Sequence, residues 1–175
     1  MISLTCPLPE NINPLKSNGF LLTINKLPLV SFFSQGVDLP GINLPAAMQA
    51  TPLANAFFAG DKIQYDSLNI NFLVDENMNN FYEIYNWING LGFPEDHLQY
   101  TNFQAMDTFN TSEAAKNASD GNLAILNNSN VTVRNIKFMD LIPTKLDSLM
   151  LASTSNDTVY LQGRVTFSFT AYEFA

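Results

Sequence analysis

The chain has 175 residues, a single cysteine, a single histidine and a formal net charge of −8. That length supports one domain with a core of its own, without metals or disulfides. The acidic balance argues against a grip on nucleic acid that depends on neutralising phosphates.

Charged residues are also scarce, as they are at the centres of protein interfaces. Because Cys6 stands alone, no intrachain disulfide can form, and a small inert thiol is its expected role. The first sixteen residues carry no basic stretch, and Pro7 and Pro9 break their apolar run, so no secretory signal is expected. No segment approaches the ~20 apolar residues of a membrane helix. The expectation is a soluble chain made inside the cell.

Residues 1–18, rich in Pro and Asn, read as an N-terminal arm ahead of a single β domain over residues 19–175. Residues 19–25 (GFLLTIN) and 29–35 (LVSFFSQ) are expected as strands. Residues 37–60 hold Pro40, Pro45 and Pro52, two glycines and small apolar side chains without helical periodicity. Proline cannot donate to a central ladder, so this stretch is expected to project as an edge ribbon or long hairpin.

Residues 62–74 form the strongest strand pattern. Ile63 and Tyr65 share one parity; Leu68, Ile70, Phe72 and Val74 share the other, which predicts a bulge or bend at Asp66-Ser67. Asp75 is then expected to cap a helix over residues 75–90, with Glu76 in its first turn. Met78, Phe81, Tyr82, Tyr85 and Ile88 give it one apolar stripe for packing on the sheet. Asn89-Gly90 is the expected stop. Trp87 lies off that stripe and is left between a second packing face and a subunit contact.

Residues 95–130 are polar, poorly periodic and expected as a long loop of the kind that makes contacts. Residues 131–138 are a strand, with a further strand expected near 146–152 after Pro143. The closing strand alternates Leu161, Gly163, Val165, Phe167, Phe169 and Ala171 with polar neighbours. The fold class is therefore mainly β: a sandwich or barrel of antiparallel strands with one packed helix.

Chemistry is hard to place on this chain. A zinc site or a nucleophile–histidine pair would need His97, whose neighbours lie in a polar loop. Gly90-Leu91-Gly92 follows a helix instead of opening one, so it offers no phosphate cradle. Lys and Arg are dispersed. The expectation is no enzyme, no cofactor and no metal.

The order of features from residue 37 onward resembles the tail tube family of contractile-tailed bacteriophages, including its members at the ends of the tube. The residues that carry the resemblance are Leu39-Pro40-Gly41, then Gly60-Asp61-Lys62 leading into the strand at residues 68–74. Asp75-Glu76 and the aromatic helix through Asn86-Trp87-Ile88 come next, and the closing run at residues 165–174 (VTFSFTAYEF) is last. The N-terminal arm and the loop at 95–130 depart from a plain tube subunit. The resemblance implies a β-sandwich with a side helix, set in hexameric rings whose sheets join into an inner barrel and so consume exposed edges. It implies self-association and contact with other tail tube, sheath or baseplate proteins. It also implies a lumen through which DNA passes without specific binding, in a virion tail assembled in the host cytoplasm. The contact residues expected on this basis are Leu39, Pro40, Met48, Leu53, Phe57, Phe58 and Trp87. The rival reading is a monomeric β-sandwich module binding carbohydrate or peptide through Tyr100, Phe103 and Phe109.

Overall fold

The computed structural model describes residues 13–50, 52–92, 96–106, 117–152 and 160–175. The expectations for the N-terminal arm at 1–12 and for Phe109 lie outside these residues. Antiparallel strands dominate the architecture, with three helices among the described residues where one was expected.

The chain enters the sheet through β1 (Phe20–Ile24), whose Leu22 and Ile24 point into the core. The run expected as a second strand is instead a short helix, α1 (Pro28–Phe32). Pro28 lacks an N–H and fixes φ near the helical value, so it suits the first helical position. Ser31 Oγ accepts the Ile24 N–H at 2.9 Å and donates to the Leu27 carbonyl at 2.9 Å, which pins the turn to β1. Leu27 and Val30 are buried at i,i+3 spacing, a pattern that alternation alone had concealed.

The next strand is β2 (Ser34–Asp38). Beyond it come two short ladders away from the main sheet: β3 (Ile42–Asn43) with β6 (Gln64–Tyr65), and β4 (Ala46–Ala50) with β5 (Asn55–Ala59). The main sheet resumes at β7 (Leu68–Leu73), and the interruption at Asp66-Ser67 falls where the change of parity placed it. Leu68, Ile70 and Phe72 are completely buried.

Helix α2 (Asn79–Gly92) starts four residues later than expected. Asp75 closes a turn, accepting the Met78 N–H at 2.9 Å, and Met78 at φ 56° is the residue whose carbonyl receives the first helical bond, from Tyr82. The helix also runs past Asn89-Gly90. Its buried positions are Asn80, Ile84, Trp87 and Gly90, whereas Tyr82 and Tyr85 face outward. The expected apolar stripe is thus rotated on the helix: Phe81 and Ile88 flank the core and the tyrosines leave it. Gly90 is needed for a close approach, because a Cβ there would lie 2.6 Å from Cγ of Phe103 on α3 (His97–Met106).

The stretch expected as a polar loop at 95–130 therefore contains a helix, and it also contains β8 (Ser119–Leu126). A tight connection follows, in which Asn127 Oδ1 accepts the N–H groups of Ser129 and Val131 and Asn130 adopts φ 58°. β9 (Thr132–Leu146) is one 15-residue strand where two were expected. Asp140 within it adopts φ 57°, and Pro143 lies opposite Phe167 where the register shifts. The closing run is the reverse case: it divides into β10 (Gln162–Ser168) and β11 (Ala171–Phe174).

The strand order is β1-β8-β9-β10-β7-β2, with β11 also on β9. β9 joins the two halves. Its first part pairs with β8 and β11, and its last residues pair with β10. The inward residues of both halves, among them Leu22, Ile136 and Phe138 from one and Ile70, Phe72 and Phe167 from the other, meet in one core. Each such side chain contributes roughly 1.5–3 kcal/mol by leaving water.

Candidate assembly surface

Residues 39–60 contain no charged side chain. They rise from the sheet on a stalk of β3 and β6, with Ile42 opposite Tyr65, and end in the β4–β5 hairpin. Gly60 sits against the Pro45 carbonyl where any Cβ would collide, so the chain can close the hairpin base only with glycine there.

The hairpin's register sets what it presents. Met48 lies opposite Phe57 and Ala47 opposite Phe58, so successive pairs turn to opposite faces. Phe57 is 70% exposed, Met48 62%, Phe58 55% and Leu53, near the tip, 99%. Among the described residues, β4 and β5 pair only with each other. A two-stranded hairpin in water is marginal by itself, and one that shows aromatic side chains on both faces and carries no charge of its own is suited to being covered from both sides.

Of the seven residues expected to make contacts, five are exposed: Leu39, Met48, Leu53, Phe57 and Phe58. Pro40 is buried, and its carbonyl accepts a hydrogen bond from Tyr172 Oη at 3.3 Å, so its role lies inside the subunit. Trp87 is 3% exposed. Its indole Nε1 donates to the Asn117 carbonyl at 3.0 Å, its ring packs 6.1 Å from that of Phe167, and Lys26 Nζ lies 5.4 Å from the ring centroid. A residue so enclosed is core, and it leaves the contact set.

Sequence reasoning missed Asn80. Its Nδ2 donates to the Leu73 carbonyl at 2.7 Å, while Oδ1 accepts the N–H groups of Asp75 and Phe81. One fully buried amide thus ties the end of β7 to the start of α2. The available signal was a polar residue four before Ile84, on the face that the helix buries.

The outward face of β2, β7 and β10 is polar and almost uncharged. Thr166 and Asn69 join the neighbouring strands β10 and β7, while Gln162–Gln35 and the ion pair Arg164–Asp38 reach over β7 to link β10 with β2. The outer edges of β1, β2 and β11 pair with no other strand among the described residues. Tyr100 and Phe103, expected as an exposed platform in the rival reading, belong to α3. Phe103 packs beside Gly90, and Tyr100 Oη accepts a bond from Asn117. Among the described residues no group of three or more His, Cys, Asp or Glu could hold a metal, and no helix is long and apolar enough to cross a membrane. Burial raises the carboxyl pKa of Glu83 on α2 above its usual range.

No protein-family model matches the chain, and no curated protein matches it in sequence. Solved structures do match in fold. A chain of the tube-terminating cap of the anti-feeding prophage aligns at a TM-score of 0.66 and 15% identity, covering 99% of this chain and 99% of that one. A chain of the six-fold symmetrised baseplate of the same particle aligns at 0.59 and 14% identity, covering 93% and 96%. A chain of the sheath–tube complex of an extracellular contractile injection system aligns at 0.55 and 14% identity, covering 93% and 91%. At these identities the likeness is one of fold, and that fold is tail-tube-like.

Proposed function

We propose that this chain, which carries the fold of contractile-system tube, cap and baseplate proteins, is a structural subunit of a contractile tail. It assembles into hexameric rings of the tail tube, or of the tube's baseplate or terminator end. The observation that carries this reading is the uncharged hairpin with Met48 and Phe57 on one face and Phe58 on the other, projecting from a sandwich whose outer strand edges are unpaired among the described residues. Open edges are a hazard in a free monomer and an asset in a ring, where a neighbour's strand completes each ladder. The hairpin docks on an adjacent ring, burying its aromatic side chains at roughly 1.5–3 kcal/mol each.

The partners on this reading are copies of the same chain and other tube, sheath or baseplate proteins, and the place is the tail of a virion assembled in the host cytoplasm. The six-fold symmetry of the related baseplate supports the ring stoichiometry. The polar, nearly neutral face of β2, β7 and β10 suits the wall of a conduit through which DNA moves without being held, since it offers no phosphate a cluster of cations. The chain turns over no substrate and uses no cofactor; its mechanism is assembly.

Electron microscopy and mass photometry of the purified protein test this. Rings or tubes are expected on concentration or on adding a tail partner. A monomer that persists through both treatments overturns the proposal. Deleting residues 43–59 is expected to abolish stacking while the far-ultraviolet circular dichroism of the sandwich persists.

A further inference from the structure

Among the described residues the hairpin pairs with no strand of the sandwich, so something else must set its direction. Its stalk meets the body at a cluster of aromatic rings where β10 gives way to β11. The Tyr65 ring, on β6, lies 5.3 Å from that of Tyr172 and 5.6 Å from that of Phe169. Phe138, fully buried, supports both from below at 5.7 and 5.3 Å. On the opposite arm of the stalk, the Pro40 carbonyl receives the Tyr172 hydroxyl. The two arms are themselves joined where the Asp66 N–H donates to the Gly41 carbonyl at 3.0 Å. Tyr172 therefore touches both arms of the stalk, one through its ring and one through its hydroxyl.

We infer that Tyr172 and Tyr65 form a clasp that fixes the angle of the hairpin to the sandwich, and that they are positioning residues for assembly. The assembly part of this inference rests on the ring-forming function proposed above. Aromatic pairs at these separations favour tilted arrangements over free rotation, and the hydroxyl adds a directional contact. Fixing the hairpin before it docks lowers the entropy lost on docking. Tyr172 lies on β11, whose outer edge is also unpaired among the described residues. A neighbour that adds a strand to β11 immobilises the same residue that holds the stalk. Lateral pairing within a ring is thereby coupled to hairpin placement, and hence to contact between rings.

Spin labels at Leu53→Cys near the hairpin tip and Lys145→Cys on the body, with Cys6→Ser, report the angle as a distance distribution by pulsed dipolar spectroscopy. The parent protein is expected to give one narrow distribution. Tyr172→Phe, which removes only the hydroxyl, is expected to broaden it, and Tyr65→Leu to broaden it further, with circular dichroism unchanged. Without the labels, both variants are expected to need at least tenfold more protein to assemble. An unchanged distribution in both variants overturns the clasp. A broadened distribution with no shift in assembly overturns its part in assembly. Failure of the unaltered protein to assemble overturns the ring reading instead, and the distance distribution still decides the clasp.

Discussion

The sandwich and the hairpin are built from similar side chains put to opposite use. Phe72, Phe138 and Phe167 are fully buried among one another's neighbours, while Phe57 and Phe58 stand in solvent on a two-stranded ladder. The sandwich holds its shape by removing apolar surface from water within one chain. The hairpin keeps its apolar surface and forgoes that stabilisation. The two regions meet at the stalk, where Tyr65 on β6 packs against Tyr172 on β11.

The widest separation between the two regions is expected from phenylalanine truncation. Phe72→Ala is expected to cost about 3–5 kcal/mol of stability, from lost transfer energy and the cavity left behind. Chemical denaturation measures that loss. Phe57→Ala is expected to leave monomer stability within about 0.5 kcal/mol and to weaken assembly at least tenfold, read by mass photometry. Equal losses of stability at the two positions would remove the distinction.

Asn80→Ala sharpens the sandwich side. It leaves the Leu73 carbonyl and the Asp75 and Phe81 N–H groups without their partner, and a cost of about 1–3 kcal/mol is expected. Hydrogen exchange should rise at the β7–α2 junction and not in the hairpin.

A smaller effect is expected from Arg164→Ala, which breaks the exposed pair with Asp38. Such pairs contribute about 0–1 kcal/mol, so the melting temperature should barely change. A large drop would mean that the polar face of β2, β7 and β10 carries more of the sandwich's stability than its exposure suggests.

The smallest effect concerns Glu83, whose carboxyl pKa burial raises in the folded state. The native state then holds its proton to higher pH than the unfolded state does. Stability contributed by the protonated form is present below the unfolded pKa and is lost as pH rises through the raised folded one. Glu83→Gln is expected to flatten this fall and to raise the melting temperature slightly at neutral pH, with no change at pH 4. A thermal melt series across pH 4–8 for both proteins tests it.

Legibility followed the range of the forces involved. The strands at residues 19–25 and 62–74, with the break at Asp66-Ser67, could be read because alternation records a face buried along one strand. The stretch at residues 37–60 could be read as a ribbon apart from the central strands because its prolines and its lack of helical periodicity are local facts. α1 could not, because its stability depends on Ser31 reaching back to β1. Nor could the burial of Trp87, which needs the Asn117 carbonyl thirty residues away. The helix face was misjudged because Tyr82 and Tyr85 count as apolar in a periodicity, while in the fold their rings stack on each other facing water.

By itself the sequence determined a mainly β fold with a side helix and a proline-punctuated stretch without charge at residues 39–60. Those properties follow from composition and from short-range backbone preferences, which act before any distant contact forms. The tertiary structure decided which helix face is buried, that β9 passes through Pro143 to join both halves, and that Pro40 and Trp87 lie inside. It also decided that Tyr172 grips the stalk from 107 residues beyond Tyr65. Each of these depends on groups far apart in the chain meeting in one place, and periodicity within a single segment carries no record of its partner.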